Sequence, residues 1–219
     1  MPQYCVLCGS GSENFPLCAS CHADMPWQPH ACCPVCAATS FASAVCGTCL
    51  KAPPAFDATI AVMQYQYPLN VLLHAYKYGE QLPLATLLGG LLADKVAHVT
   101  TPDILLAMPL HPERLKERGF NQAVELARVI ARRKQVSLAL DVCRRVRVTL
   151  PQGGLPLAER TKNLRAAFAC DADVSGKRIA IVDDVMTSGA SLNELAKTLK
   201  KSGAVEVSCW VVARTQTDH

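Results

Sequence analysis

The sequence predicts an α/β fold with a mostly parallel sheet, preceded by a small cysteine-rich region that binds metal. Eight of the twelve cysteines stand in four Cys-x-x-Cys pairs within the first fifty residues. Beyond residue 52, short apolar runs alternate with segments of helical periodicity, which favours parallel strands joined by crossover helices. We therefore expect two parts, residues 1–52 and residues 53–219, with ligands at the carboxyl ends of the strands.

The cysteine pairs form an internal repeat. Each copy has two pairs separated by nine residues, and the second copy follows the first at an offset of twenty-eight residues. In a chain without an export signal, such density indicates metal rather than disulfides, and four thiolates complete one tetrahedral zinc site. The predicted zinc ligands are Cys5, Cys8, Cys18, Cys21, Cys33, Cys36, Cys46 and Cys49.

The sequence leaves the grouping of these cysteines open. Consecutive pairs would make a double zinc ribbon with two sites, whereas an interleaved arrangement would join the first pair to the third. Cys32 is a spare thiol, and His22 or His30 could replace a cysteine ligand. A region of this size with few aliphatic residues needs metal in order to fold, so we expect structural rather than catalytic zinc.

The first half of the larger part follows a proline-containing linker at residues 52–55. Residues 57–67 alternate and are rich in β-formers, which predicts a strand. Residues 68–78 begin with proline and are followed by glycine, as is typical of a helix. Residues 82–98 are apolar on all sides and predict a buried helix. Residues 104–110 form a short apolar run that contains Pro109 and stops before Pro112, as expected of a central strand.

The second half continues the alternation. Residues 121–134 have apolar positions at helical spacing, and residues 144–149 predict a further strand. Residues 179–182 are a buried strand, residues 190–202 a helix ended by glycine, and residues 205–213 a last strand. Between them, residues 155–165 are expected to be a mobile or helical excursion.

Composition limits the classes of protein to consider. The chain has 219 residues, half of them hydrophobic and 18% charged, which suits a folded core and argues against disorder. The first ten residues lack the features of a signal peptide, and the most apolar stretch, residues 82–93, is too short to span a bilayer. We therefore expect a cytoplasmic protein without a transmembrane segment. No Gly-x-x-x-x-Gly-Lys-Ser/Thr loop is present, which disfavours a helicase.

Positive charge is concentrated in one stretch of the chain. The formal net charge is +4, but residues 113–165 carry thirteen Lys or Arg against five Asp or Glu, a local net of +8. Such a concentration indicates an anionic partner, either the phosphates of a small molecule or a nucleic-acid backbone. The alternative is a solvated basic helix face.

The most specific pattern is the segment 179–191. An apolar strand carries two adjacent carboxylates, Asp183 and Asp184, and is followed by a small-residue loop at 187–191 where a helix begins. Amides and hydroxyls at a helix N-terminus bind phosphate, and carboxylates accept hydrogen bonds from vicinal ribose hydroxyls. The pattern therefore predicts a ribose 5-phosphate site, although an isolated acid pair could equally cap a helix or bind a metal.

These residues resemble known families. Residues 182–189, Val-Asp-Asp-Val-Met-Thr-Ser-Gly, resemble the motif with which type I phosphoribosyltransferases bind phosphoribosyl pyrophosphate (PRPP). Residues 109–122, the spacing of Gln152, Leu155, Arg160 and Asn163, and the N-terminal double ribbon resemble the ComF/GntX family, whose members are associated with competence and the use of extracellular DNA. The resemblance covers almost the whole chain and implies a type I phosphoribosyltransferase-like fold.

The resemblance also implies a site. Asp183 and Asp184 would hold the ribose hydroxyls and are the candidate catalytic residues. The implied PRPP-binding residues are Asp183, Asp184, Val185, Met186, Thr187, Ser188, Gly189, Ala190 and Ser191. Residues 108–112 would meet pyrophosphate, with Mg²⁺ bridging its oxygens, and residues 145–165 would form a hood over the site. The candidate pyrophosphate and hood contacts are Pro109, Leu110, His111, Arg114, Arg118, Gln152, Arg160, Asn163 and Arg165.

Some of these roles have a structural alternative, because Arg118 or Arg165 could pair on the surface with Glu117, Glu125 or Glu159. Three functions follow from the resemblance. The first is a PRPP- or ribose-phosphate-binding protein of DNA uptake, in contact with single-stranded DNA and with uptake machinery at the inner membrane face. The second is a catalytic phosphoribosyltransferase that moves ribose 5-phosphate from PRPP to an unknown nitrogen acceptor. The third is a sensor that binds the ligand without catalysis.

Overall fold

A computed structural model of the chain describes residues 3–12, 16–78, 83–147 and 166–216. In chain order, its elements are β1 (Gln3–Tyr4), β2 (Gly11–Ser12), α1 (Ala19–Ala23), a 3₁₀ turn (Phe41–Ser43), α2 (Gly47–Lys51), β3 (Ala58–Gln64), α3 (Leu69–Tyr78), α4 (Pro83–Lys95), β4 (Ile104–Ala107), α5 (Pro112–Arg118), α6 (Gln122–Lys134), β5 (Leu138–Ala139), β6 (Cys143–Arg145), β7 (Phe168–Cys170), β8 (Arg178–Met186), α7 (Ala190–Lys201) and β9 (Glu206–Arg214). The predicted α/β class is confirmed.

The centre of the fold is a five-stranded parallel sheet in the order β3-β9-β8-β4-β5. Its two long strands, β8 and β9, are buried over most of their length. Near-continuous apolar strands of this kind need cover on both faces of the sheet. Helix α4 is buried nearly all round, as its sequence predicts, and packs closely on α6, because a Cβ at Gly89 would lie 2.9 Å from the Cβ of Val129.

The strand order defines where a ligand can bind. The chain moves in one direction across the sheet from β3 to β4 and from β4 to β5, and in the opposite direction from β8 to β9. Because such crossovers are right-handed, α3, α4 and α6 cover one face and α7 covers the other. Neighbouring strands β4 and β8 therefore continue to opposite faces, and the crevice at their carboxyl ends is the topological switch point where ligands of open α/β sheets bind.

A separate antiparallel ribbon is formed by β6 and β7, with Cys143 opposite Cys170 and Arg145 opposite Phe168. The chain leaves this ribbon at Arg147 and is next described at Ala166, where the backbone N–H donates to Glu194 Oε1 on α7 at 2.8 Å. The ribbon therefore marks both ends of the predicted hood. Residues 148–165, which include Gln152, Arg160, Asn163, Arg165 and the excursion predicted at 155–165, lie outside the described residues.

The cysteine-rich region docks on the edge of the sheet. Three backbone bonds join it to edge strand β3: Gln28 N–H to Val62 O at 3.0 Å, Gln64 N–H to Pro26 O at 2.7 Å and Thr59 N–H to Pro34 O at 3.2 Å. Buried cysteines of this region belong to the same hydrophobic core as the sheet. The docking covers a strand edge that would otherwise be open to pairing with another chain. The division at residue 52 stays a prediction.

Several element boundaries differ from the predicted ones. The strand predicted at 104–110 ends at Ala107, and that predicted at 144–149 is found at Cys143–Arg145. The strand predicted at 179–182 runs from Arg178 to Met186, because β9 pairs with it along its whole length. Helix α5 and strands β5 and β7 were not expected. Within the described ranges, no helix combines the length and apolar character that crossing a bilayer requires.

Candidate functional site

The eight predicted zinc ligands gather into two clusters. The first cluster is Cys5, Cys8, Cys18 and Cys21, the second is Cys33, Cys36, Cys46 and Cys49, and within each the four Sγ atoms lie within 4.8 Å of one another. Consecutive pairs therefore group together, and the interleaved arrangement is wrong. The second cluster is fully buried, whereas the first is partly exposed.

The spacing of the thiols fits a zinc ion. Four sulfurs at about 2.3 Å from a tetrahedral zinc lie about 3.8 Å from one another. The Sγ atoms of Cys8 and Cys18 are 3.7 Å apart, and those of Cys36 and Cys46 are 3.6 Å apart. Two clusters of this kind in consecutive repeats fit zinc ribbons, so each cluster could hold one structural zinc.

The thiol pKa values in the clusters point to a cation as well. Burial raises the pKa of Cys5 and of Cys33, but backbone hydrogen bonds outweigh it and lower these pKa values to about 6 and about 7. The pKa of Cys21 is raised, mainly by its contact with Cys8, and that of Cys49 is raised by burial and by Cys36. Each cluster thus contains at least one thiol that ionises readily and at least one that resists ionisation, and a bound cation would stabilise four thiolates together.

The acid pair, Asp183 and Asp184, lies inside β8 near its carboxyl end. Successive strand residues point to opposite faces of a sheet, so the two carboxylates are directed differently. Asp184 is 8% exposed, and its Oδ2 accepts from Lys77 Nζ at 2.8 Å. Burial and the negative charge of Asp184 raise the pKa of Asp183 to about 7. One carboxylate of the acid pair is therefore paired with a lysine, and the other has a raised pKa.

The small-residue loop, residues 187–191, follows β8 directly, and its last two residues are the first two of α7. Gly189 has φ 75° and ψ 3°, the left-handed conformation that favours glycine, and α7 starts at Ala190. The N–H of Ala190 is directed to Ser188 Oγ at 3.4 Å. The loop thus ends where a helix of twelve residues presents its first amides. A helix N-terminus of this kind favours an anion.

The segment after β4 begins next to β8. Met108 N–H donates to Val182 O at 2.8 Å, which continues the pairing of the two strands just beyond the end of β4. Asn121 Nδ2 donates to Met108 O at 3.1 Å, and its Oδ1 caps α6 at Ala123 N–H. His111 caps α5 by accepting from the N–H of Glu113 at 3.2 Å. Pro109, Leu110 and His111 therefore follow β4 at the switch point of the sheet, and their contact with pyrophosphate stays a prediction.

Positive side chains surround the acid pair. Burial lowers the pKa of Lys77, but the charges of Asp184 and Asp183 outweigh it and the pKa is raised overall. Burial lowers the pKa of Arg145, which interacts with Asp183 and with Arg114. The two carboxylates thus interact with cations from two different elements, Lys77 on α3 and Arg145 on β6. Arg114 on α5 lies close enough to Arg145 to affect its pKa, so further positive charge is available near the pair for a polyanion such as a sugar phosphate.

The predicted arginines of α5 have other contacts too. Arg114 Nη1 pairs with Glu117 at 3.2 Å, and Arg118 Nη1 donates to Gln122 Oε1 at 3.2 Å. The guanidinium of Arg118 also lies 5.5 Å from the ring centre of Tyr78. The surface pair is therefore made by Arg114 rather than by Arg118.

The comparisons with known proteins agree with this geometry. A family model described as the phosphoribosyl transferase domain matches residues 115–218. DNA utilization protein YhgH of Escherichia coli (strain K12) is 35% identical over 176 residues, which cover 78% of this chain and 78% of that protein. The chain belongs to the ComF family.

A second ComF-family relative matches over a longer span. Competence protein F of Haemophilus influenzae is 29% identical over 219 residues, which cover 96% of this chain and 90% of that protein. Among solved structures, a glutamine PRPP amidotransferase from B. subtilis aligns with a TM-score of 0.44 at 19% identity, over 63% of this chain and 30% of that chain. A TM-score of 0.44 does not establish kinship. The assignment of the chain to the ComF family depends on the sequence relatives and on the family model.

The sequence did not single out three residues of this ComF-family site. Lys77, which pairs with Asp184, stands in the last turn of a helix without any local signal. Arg145 was expected only as the start of the hood, yet it lies on β6 and interacts with Asp183. Arg214 donates to the carbonyls of Met186, at the end of β8, and of Thr187, at the start of the small-residue loop. All three come from segments far from the motif in sequence.

Proposed function

We propose that this ComF-family protein binds PRPP or ribose 5-phosphate in the crevice between β4 and β8. The observation that carries the proposal is the acid pair on β8, followed by the small-residue loop and the N-terminus of α7, at the switch point of the sheet. Two carboxylates, which would accept from a diol, and a helix N-terminus, which would bind an anion, follow one another there. Ribose 5-phosphate carries the complementary groups in the same order.

Each part of the ligand has a proposed partner. The ribose hydroxyls would donate to Asp183 and Asp184, and the 5′-phosphate would meet the amides and hydroxyls of residues 187–191. The pyrophosphate would meet residues 109–111, Arg114 and Arg118, with hood residues Gln152, Arg160, Asn163 and Arg165 as further candidates. Mg²⁺ would accompany PRPP and neutralise its pyrophosphate oxygens. Lys77 and Arg145 support the proposal, because both place positive charge beside the acid pair.

Calorimetric titration tests the binding proposal. We expect zinc-loaded protein to bind PRPP with Mg²⁺, and ribose 5-phosphate more weakly. Asp184→Asn should weaken binding at least tenfold, because the amide keeps the shape of the side chain but loses the charge and half of the acceptor capacity. Asp103→Asn is the matched control, since Asp103 accepts from Arg178 N–H at 2.8 Å, beside the opposite end of β8. Equal binding by both variants would contradict the assignment.

A catalytic phosphoribosyltransferase is the second candidate, and the raised pKa of Asp183 favours it. A carboxyl group with a pKa of about 7 can accept or donate a proton near neutral pH. In such a reaction the bond between the anomeric carbon and pyrophosphate breaks, and a bond to a nitrogen nucleophile forms. Pyrophosphate release from PRPP, measured while nitrogen bases are screened as acceptors, distinguishes an enzyme from a sensor. Release that is identical in the wild type and in Asp183→Asn would reject catalysis through this pair.

We also propose a role in the use or uptake of DNA, because relatives of the chain carry the names DNA utilization protein and Competence protein F. Part of the basic segment is already paired: Arg128 binds Glu125 at 2.7 Å, and Arg133 binds Asp94 at 2.8 Å. Exposed cations such as Lys116 and Arg132 are candidates for contact with single-stranded DNA.

Fluorescence anisotropy with an oligonucleotide tests the DNA contact. We expect affinity to fall steeply with salt, and each lost phosphate contact to reduce the slope of log affinity against log salt by about 0.7 for a single strand. Lys116→Gln combined with Arg132→Gln should therefore flatten the slope, while Lys95→Gln on α4 should leave it unchanged. Absence of binding at low salt would exclude direct contact, and leave uptake machinery at the membrane as the proposed partner.

The two cysteine clusters complete the proposal as structural zinc sites. All four thiols of each cluster face one point, so no ligand position is left open for catalysis. Free thiolates need a reducing compartment, which supports a cytoplasmic location. Metal analysis of the purified protein should give two zinc ions per chain.

A further inference from the structure

Arg214 is a buried cation that connects the second cysteine cluster with the small-residue loop. It is the last residue of β9 and is 4% exposed. Its Nε donates to the carbonyl oxygen of Cys36 at 2.9 Å. Its Nη1 donates to the carbonyl oxygens of Met186, at 3.2 Å, and of Thr187. One side chain therefore contacts both a proposed zinc ligand and the start of the proposed phosphate site.

The partners of this guanidinium are unusual for a buried charge. Within the described part of the chain, its remaining hydrogen bonds go to the carbonyl and hydroxyl oxygens of Thr215, so all of its acceptors are neutral. A buried charge is costly unless its donors are satisfied, and a guanidinium offers five donors in a rigid fork. The relative positions of Cys36, Met186 and Thr187 are thus fixed by one planar group.

The position of Cys36 depends in turn on the second cluster. Its Sγ lies 3.6 Å from that of Cys46, and all four members of the cluster are buried. Bound zinc would hold the backbone of Cys36 in place, because a tetrahedral shell fixes both ligands of each pair. Without metal, no bond would tie the four thiols to one point, and the carbonyl of Cys36 that accepts from Arg214 would lose this constraint.

The carbonyls at the other end of Arg214 orient the loop. Met186 O also accepts from Thr215 N–H at 3.1 Å. The peptide planes that carry these carbonyls also carry the N–H groups of Thr187 and Ser188, so the direction of the carbonyls sets that of the first loop amides. These amides belong to the proposed phosphate site.

We propose that metal in the second cluster positions the small-residue loop through Arg214, so that zinc binding and ribose-phosphate binding strengthen one another. Arg214 is a positioning residue in this arrangement and does not contact the ligand. The ligand in this proposal rests on the proposed function. The effect of zinc on the position of the loop does not. Because coupling between two sites is reciprocal, the factor by which zinc raises ligand affinity equals the factor by which the ligand raises zinc affinity.

The first cluster supplies an internal control. Its described hydrogen bonds stay local: Cys5 N–H donates to Ser10 O at 2.7 Å, and Cys8 Sγ to Ser10 Oγ at 3.2 Å. The described part of the chain contains no hydrogen bond from these four cysteines to the small-residue loop. Loss of its metal should therefore leave the loop in place.

The first test compares ribose 5-phosphate affinity by calorimetry among variants that remain folded by circular dichroism. Cys36→Ser removes one thiolate but keeps the carbonyl that accepts from Arg214, and Cys8→Ser is its counterpart in the first cluster. We expect affinity to fall at least tenfold in Cys36→Ser and in Arg214→Met, and less than twofold in Cys8→Ser. Arg214→Lys should restore little, because one ammonium group cannot span the three carbonyls. Equal affinities in all variants would overturn the proposal.

The second test needs no ligand. Hydrogen exchange at the amides of residues 187–190 should accelerate at least tenfold in Arg214→Met and in Cys36→Ser, while exchange at Leu105 in β4 stays unchanged. If wild-type protein does not bind ribose 5-phosphate, the proposed function is wrong, and this exchange still decides whether the coupling exists. Unchanged loop exchange in both variants would reject it.

The third test uses reciprocity. Zinc affinity is measured by competition with a chromogenic chelator. Ribose 5-phosphate should raise the zinc affinity of Cys8→Ser, which keeps the second cluster. It should leave the zinc affinity of Cys36→Ser, which keeps the first cluster, unchanged. A purely structural zinc site would show no such dependence on the ligand. Equal zinc affinity with and without the ligand in Cys8→Ser, in protein that binds ribose 5-phosphate, would also contradict the coupling.

Discussion

Substitution of Gly189 by alanine tests the geometry of the small-residue loop. Gly189 has φ 75°, and the left-handed region costs a residue with a Cβ about 1–2 kcal/mol. A Cβ at this position would also lie 2.6 Å from the terminal methyl of Met186. Displacement of that flexible side chain from its rotamer costs about 0.5–1.5 kcal/mol. The two costs together are about 1.5–3.5 kcal/mol.

Thermal denaturation and calorimetry measure the two consequences of Gly189→Ala. At about 2–4 °C per kcal/mol for a chain of this size, we expect Tm to fall by about 3–14 °C. Because Met186 directly precedes the loop, its displacement should also shift the loop, and ribose 5-phosphate affinity should fall at least tenfold. The matched control is Gly176→Ala, since Gly176 has φ 72° but no atom within 4 Å of the added methyl.

The control separates backbone strain from the effect on the loop. Gly176→Ala should lose about 1–2 kcal/mol of stability and keep its affinity for the ligand. Met186→Ala in the Gly189→Ala background should recover part of the affinity, because it removes the atom that clashes. The reasoning is wrong if the two glycine variants behave alike in both assays.

Three further predictions concern the charges and the metal. The raised pKa of Asp183 means that the folded state binds a proton more tightly than the unfolded state, so stability should fall as pH rises from about 4 to about 7. Asp183→Asn should flatten the dependence of stability on pH, raise Tm at pH 8 and weaken ligand binding. If denaturant titrations show the same dependence of stability on pH in this variant, the pKa assignment is wrong. Lys77→Met should destabilise the protein above pH 7, since it leaves the carboxylate of Asp184 buried without its partner, whereas Lys77→Arg should retain most of the stability in the same titrations. Cys8→Ser retains the buried second cluster, so removal of zinc by a chelator should lower its Tm more than that of Cys36→Ser. The reverse order in thermal melts would contradict the docking of the second cluster on β3.

Local patterns made much of this protein predictable. The two cysteine clusters were predictable because a Cys-x-x-Cys pair can chelate a metal, and the clusters in the structure are those of the two repeats. The acid pair, the loop and α7 were found because a strand, a turn and a helix start follow one another within a single segment. Helix α5 was missed although its signals were present: His111 as the cap, proline at the first position and Gly119 after the end.

The contacts that complete the site could not be predicted in the same way. Lys77 reaches Asp184 from another helix, and Arg214 reaches Cys36 across 178 positions of sequence. Such contacts depend on the order of the strands and on the docking of the cysteine-rich region. Neither can be predicted from the periodicity or the residue spacing of a single sequence. The end of β8 was misplaced for the same reason, because pairing with β9 rather than local composition extends it to Met186.

A crystal structure of the zinc-loaded protein with ribose 5-phosphate would test the central claim most directly. We expect the phosphate to accept hydrogen bonds from the amides of residues 187–190, and both ribose hydroxyls to lie within hydrogen-bond distance of Asp183 and Asp184. A ligand bound elsewhere, or an empty crevice at millimolar ligand, would contradict the proposed site.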